Sequence, residues 1–151
     1  MNGADIHEGI RIRGASLSDC SAVAQLSGEL GYPASVESIE RRLVHLLGQQ
    51  DRDAVFVAET DGHVIGWIHI ARIDSLENDP AAEIRGLIVT EALRGRRIGA
   101  SLVAAAEQWA LNQRLARVRV RSNVTRERTH AFYERLGYVT SKSQKVFDRS
   151  P

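Results

Sequence analysis

Glu83-Ile84-Arg85-Gly86-Leu87-Ile88-Val89, and shortly after it Leu93-Arg94-Gly95-Arg96-Arg97-Ile98-Gly99-Ala100-Ser101-Leu102, is the stretch on which the fold turns. It reads as a hydrophobic strand, a basic turn bearing glycines, and a helix. Val103, Ala106 and Trp109 follow Ile98 at helical spacing, so a helix is expected to begin at the glycines and run toward Gln113. The turn then lies at the helix N-terminus. Unpaired backbone N–H groups and the positive end of the helix dipole make that position an anion site, and Gly95 and Gly99 admit an anion close to the backbone. Arg94, Arg96 and Arg97 add fixed positive charge. A pyrophosphate suits such a turn.

Other phosphate-binding turns fit less well. A Walker A loop ends in Gly-Lys-Ser/Thr, and this turn has no lysine. A dinucleotide fingerprint needs Gly-x-Gly-x-x-Gly in an early strand-turn-helix unit. This turn lacks that spacing and comes late in the chain. It does resemble motif A of the GCN5-related N-acetyltransferases, Arg/Gln-x-x-Gly-x-Gly/Ala after a hydrophobic strand. Arg94 fills the first position and Gly99 the last, while Arg97 stands where that motif has its middle glycine. Downstream, Arg126-Glu127-Arg128-Thr129-His130-Ala131-Phe132-Tyr133-Glu134-Arg135-Leu136-Gly137-Tyr138 is similar to the family's motif B, a helix carrying Phe-Tyr-Glu-x-x-Gly-Phe/Tyr. Arg126 replaces an asparagine often found there. The two motifs cover the C-terminal half of the chain.

The resemblance implies an α/β fold, the acyl-CoA N-acyltransferase fold, with a mixed central sheet splayed between its fourth and fifth strands and helices on both faces. It implies acetyl-CoA as the acetyl donor. The pantetheine arm would lie along the backbone of Leu87, Ile88 and Val89, and the pyrophosphate would meet the turn Arg94, Gly95, Arg96, Arg97, Ile98, Gly99 and Ala100. Arg126 would reach a phosphate. Tyr133 maps onto the tyrosine that protonates the departing thiolate, and a backbone N–H near Val89 onto the oxyanion donor.

Composition bounds the rest. A chain of 151 residues fits one domain spanning 1–151, with residues 1–9 expected to be disordered. Hydrophobic content of 43% and charged content of 26% are ordinary for a globular protein. A net charge of +1 gives no general reason to expect a nucleic-acid or membrane surface, so the arginine clusters carry more meaning than the total. Cys20 alone excludes an intrachain disulfide and fits a reducing compartment. With no spanning apolar run and no signal-peptide core, a cytoplasmic enzyme is expected.

Taken from the N-terminus, Ile10-Arg11-Ile12-Arg13 alternates as a half-buried strand does. Ser16 and Asp19 form a capping-box start for a helix that carries Cys20, Val23, Ala24 and Leu30 and ends near Gly31. Ser35 caps a second helix with Val36, Ile39, Leu43 and Leu46 on one stripe up to Gly48. Residues 54–59 and 63–70 read as strands joined by a turn at Asp61-Gly62, a hairpin signal. Asp74 to Pro80 reads as a solvated polar loop, with an acidic lip for a cationic amine as the sharper alternative. Ala116 to Arg121 predicts a strand before the motif B helix, and Tyr138-Val139 and Lys145-Val146-Phe147 closing strands after it.

Acetyl transfer to an amine needs a neutral nitrogen and a stabilised oxyanion, can be assisted by a proton for the sulfur, and needs no protein nucleophile. Tyr133 is the candidate acid. Glu83, counted on the same strand face as Leu87 and Val89, is the candidate base, with an ion pair to Arg85 or a neighbouring arginine as its structural alternative. His69 and His130 read as structural histidines, Cys20 as a buried apolar residue, and no spacing suggests a metal site. The acceptor is expected to be a primary amine of a small molecule or peptide, and a homodimer is left open. Two rivals stand beside this reading, a non-catalytic acyl-CoA sensor of the same fold and a nucleic-acid module.

Overall fold

The computed structural model describes residues 9–29, 31–93 and 97–151. The expectations for residues 1–8 and for Leu30 lie outside the described residues. The strands are β1 (Arg11–Gly14), β2 (Asp53–Thr60), β3 (His63–Ile73), β4 (Ala81–Val89) and β5 (Val118–Val120). The helices are α1 (Cys20–Glu29), α2 (Val36–Leu47), α3 (Ile98–Asn112) and α4 (Glu127–Arg135). Two compact units result, one ending at Val120 and the other running Arg121–Pro151. Among the described residues no helix is long and apolar enough to cross a membrane.

The first unit holds one mixed sheet in the order β1-β2-β3-β4-β5, antiparallel except where β5 joins β4 in parallel. Its β2–β3 hairpin closes where the sequence places it. Asp61 and Gly62 take φ of 49° and 77°, and positive φ at both central residues matches the turn to the strand twist. Ser35 caps α2 by accepting the Ser38 N–H, and Ile39 and Leu43 turn inward. Val36, expected on the same stripe, is exposed.

Successive residues of β3 divide the layers. Cys20, Val23 and Ala24 of α1 and Ile39 and Leu43 of α2 pack with Val55, and Trp67 lies against them. Gly66, one residue away, faces α3 instead, where a Cβ would come within 3.3 Å of the Leu102 Cδ1. Ile68 and Ile70 share the phase of Gly66 and are fully buried, as are Leu102 and Val103 of α3. Thus α1 and α2 cover one face and α3 the other. Cys20 is buried as expected, and burial pushes its thiol pKa up.

An ion pair ties β1 to the start of α1. Arg13 donates from Nη1 and Nη2 to both oxygens of Asp19 at 2.9 Å, and Asp19 also accepts the Ser16 N–H at 2.8 Å. The expected link between Ser16 and Asp19 is therefore present, leading through a 3-10 turn (Leu17–Asp19) into α1. The Arg13 guanidinium holds the Asp19 carboxyl below its ordinary range, more strongly than burial pushes it up. Such a depressed carboxylate stabilises the fold above its unfolded pKa, and the contribution disappears as pH falls through the folded value. Asp19→Asn is expected to lose about 2 kcal/mol of stability at neutral pH. In urea titrations the gap to wild type should narrow below about pH 4, and a gap independent of pH would remove the charge from the account.

The expected closing strands are absent. From Leu136 onward the described residues form no helix or strand. Tyr138 is taken up by the end of α4, and Val139, Val146 and Phe147 are exposed. Short apolar runs make a strand only when a neighbour pairs their backbone and a layer covers one face.

Candidate functional site

In the first unit the site is set by a mismatch of strand lengths. β5 pairs with β4 only at Ala82, Ile84 and the residue between them, so the ladder stops at Ile84–Val120 while β4 continues from Arg85 to Val89. Alternate backbone groups of that continuation point away from β3 with no β5 partner. Leu87, Ile88 and Val89 all belong to it, and on its other side they pair with Ile68, Trp67 and Gly66. An extended ligand can add to such an edge by main-chain hydrogen bonds.

After β4 the chain reaches α3. Arg94, Gly95 and Arg96 lie outside the described residues. Arg97 is the N-cap of α3 at φ 62°, with no side-chain cap hydrogen bond. This left-handed conformation is the one glycine adopts most cheaply, and here an arginine holds it. The first intrahelical bond runs from the Ser101 N–H to the Arg97 carbonyl. The N–H groups of Ile98, Gly99 and Ala100 therefore precede the helical ladder and present the positive end of its dipole. Ile98 is buried, so only its backbone is available to a ligand.

Glu83 occupies a different position from the one counted on the sequence. His69 pairs with Gly86, but Ile70 pairs with Ile84, so Arg85 is an extra residue in β4. This bulge shifts the strand's phase. Glu83 faces the α1–α2 side with Ala71 and Gly86, whereas Leu87 and Val89 face α3, which corrects the shared parity expected above. The Glu83 side chain is 3% exposed and accepts from Arg85 Nη1, as its structural alternative had it. An isolated glycine in a strand is a bulge signal, and Gly86 supplied one.

The same face carries features the motif reading missed. His69 Nε2 lies 2.8 Å from Asp53 Oδ1 across β3 and β2. The six-membered ring of Trp67 lies over Gly86, since a Cβ there would meet its Cζ3 and Cη2 at 2.9 Å. The Trp67 indole N–H is buried without a partner among the described residues. His69 and Trp67 sit at alternate positions of β3, which places both on this face. Their relation to Asp53 and Gly86 needed the register.

In the second unit the exposed Arg126 is the N-cap of α4, which carries Tyr133 near its end. Gly137 takes φ 92°, its N–H bonds the Glu134 carbonyl, and the Tyr138 N–H bonds the Tyr133 carbonyl. This is the Schellman arrangement, with its apolar contact supplied by the Tyr133 and Tyr138 rings at 5.4 Å. Phe132 meets Tyr133 edge-on at 4.9 Å. The glycine and aromatic pair of the motif thereby set the Tyr133 ring. Tyr133 is 7% exposed, and burial pushes its phenol up to about 12, against a smaller lowering by Arg126.

Comparison with known proteins converges. A model of the acetyltransferase (GNAT) family matches residues 24–138. An uncharacterized N-acetyltransferase of Methanocaldococcus jannaschii is 31% identical over 94 residues, 61% of this chain and 42% of that protein. The aminoalkylphosphonate N-acetyltransferase of Salmonella typhimurium is 33% identical over 86 residues, 56% of each chain. The match thus spans about half the length of these curated relatives. Glucosamine-6-phosphate N-acetyltransferase from Arabidopsis thaliana shares the fold with a TM-score of 0.80 at 22% identity, over 93% of this chain and 100% of that one. The aminoglycoside N-acetyltransferase AAC(6')-Iy, solved with CoA, gives 0.80 at 19% identity over 93% and 94%.

Proposed function

The chain belongs to the GNAT family of acetyltransferases, and from that premise we propose that it moves an acetyl group from acetyl-CoA directly to a primary amine of a small molecule or peptide. The observation that carries this reading is the length mismatch in the sheet. β4 outruns β5 and leads toward a helix whose first N–H groups are unclaimed by its ladder, a combination suited to an extended arm ending in a pyrophosphate. In this reading the backbone of Leu87, Ile88 and Val89 holds the pantetheine. Arg94 to Ala100 take the pyrophosphate, and Arg126 takes a phosphate. A backbone N–H near Val89 receives the oxyanion. Tyr133 gives its proton to the leaving thiolate, and Glu83 is a candidate for relaying the amine's proton.

Calorimetric titration with acetyl-CoA, followed by thiol release against a panel of amines, tests the whole. Binding with amine-dependent release supports transfer. Binding without release from any amine favours a sensor of the same fold, and absence of binding removes the cofactor assignment.

Arg97 offers a cleaner test of the phosphate turn than most arginines. Glycine adopts φ 62° without strain, so Arg97→Gly removes the charge while preserving the backbone. Acetyl-CoA affinity is expected to fall about tenfold, as for loss of one charge-assisted contact, with little change in thermal midpoint. Unchanged affinity would take Arg97 out of the binding site.

A further inference from the structure

On the face covered by α1 and α2, the strand registers lay side chains out in rows. Asp53, Ala71 and Glu83 stand abreast on β2, β3 and β4, and Val55, His69 and Gly86 form the next row. His69 is therefore diagonal to a carboxylate on either side. It bonds one of them, with Nε2 at 2.8 Å from Asp53 Oδ1, and the two side chains are 20% and 14% exposed. The other, Glu83, is held in its ion pair with Arg85. A carboxylate only accepts, so the Asp53 contact puts the imidazole proton on Nε2 and leaves the lone pair of the neutral ring on Nδ1. Among the described residues nothing hydrogen-bonds that Nδ1.

What lies beside His69 completes the argument. Its neighbour across β4 is Gly86, which has no side chain, and Gly86 belongs to the part of β4 past the end of the β5 ladder. The Trp67 ring covers Gly86 at the place a Cβ would occupy. Between the imidazole and the open edge of β4 there is thus one strand spacing, about 4.8 Å, surfaced by an aromatic ring. Such a surface accepts a cationic amine.

We propose that His69, oriented by Asp53, is the group that deprotonates the substrate ammonium. This rests on the acetyl-transfer reading and deepens it by naming the base and a cationic amine as the acceptor. The ammonium gives one proton to His69 Nδ1 and becomes a neutral amine. Its lone pair attacks the thioester carbonyl carbon, the C–N bond forms, and the C–S bond breaks with its electron pair on sulfur. The second proton leaves nitrogen for water and the thiolate takes up a proton, giving the amide and the free thiol. The imidazolium returns the first proton to water. Glu83 remains with Arg85.

The test uses the full chain and the most active amine of the panel. Wild-type protein that neither binds acetyl-CoA nor releases thiol overturns the underlying reading, and this proposal with it. Given wild-type turnover, His69→Ala is expected to lower kcat about tenfold or more, with acetyl-CoA Kd within about twofold of wild type. Added imidazole is expected to restore part of the rate in proportion to its concentration. His69→Gln keeps a donor for Asp53 but no base, and should be as slow as His69→Ala without being helped by the amide. If His69→Gln turns over like wild type, the histidine is structural and the proposal falls. It falls equally if imidazole restores nothing to His69→Ala.

Discussion

Replacing Tyr133 by phenylalanine is expected to lower kcat about a hundredfold while leaving acetyl-CoA affinity unchanged, the scale set by loss of a general acid. The substitution removes one hydroxyl and keeps the ring, so the contacts to Phe132 and Tyr138 persist and the cap of α4 at Gly137 is undisturbed. Stability should change little. Burial holds the phenol near 12, so it stays protonated throughout the neutral range and is a donor rather than a base there. In the proposed reading that donor meets the thiolate as it leaves. Turnover of the wild type should accordingly show no loss from ionisation of this residue until pH approaches 12. Equal kcat for wild type and Tyr133→Phe would assign the aromatic ring to packing alone.

Leu102→Ala is expected to remove about 3–5 kcal/mol of stability, the range for a large aliphatic side chain cut back inside a closed core. Leu102 is 0% exposed, and its Cδ1 packs over Gly66 of β3. The space cannot be filled from the strand side, because a Cβ on Gly66 would also lie 3.0 Å from the Ile88 carbonyl oxygen. For a chain of this size the thermal midpoint should drop by roughly 10 °C. Leu102 is also one turn beyond the first residues of α3, so it seats the end of the helix that offers its N–H groups. Acetyl-CoA should bind less tightly to the variant, and should raise its midpoint by less than it raises that of wild type. A loss below about 1 kcal/mol would mean that the layer is held elsewhere.

Much of the fold was legible because its signals are local. Asp61-Gly62 specifies a turn without reference to anything distant, Ser35 caps α2 with its own side chain, and Ile98 to Ala106 repeat at the helical period. Motif B was legible for the same reason. Gly137 and Tyr138 close the helix on Tyr133 through contacts within six residues. What escaped was non-local. Counting parity from Glu83 to Val89 presumes a regular strand, and the extra residue at Arg85 is visible only once β3 pairs beside it. The partnership of His69 with Asp53 spans the β2–β3 hairpin and depends on its register. Tyr138-Val139 and Val146-Phe147 are short apolar pairs of strand-forming residues, yet strand formation requires a neighbour that no local pattern supplies.

The bulge at Arg85 makes β4 two half-strands read in opposite frames. Upstream of it the odd-numbered Glu83 faces the α1–α2 layer, and downstream the odd-numbered Leu87 and Val89 face α3. Removing Arg85 would make β4 a regular strand with Glu83, Leu87 and Val89 on the faces they now hold, since Ile84 would then be followed directly by Gly86 opposite Ile70 and His69. Arg85 is thus a residue the sheet could lose without exchanging its faces, whereas a length change elsewhere in β4 that no bulge absorbs would slip one half by a residue and exchange its two surfaces.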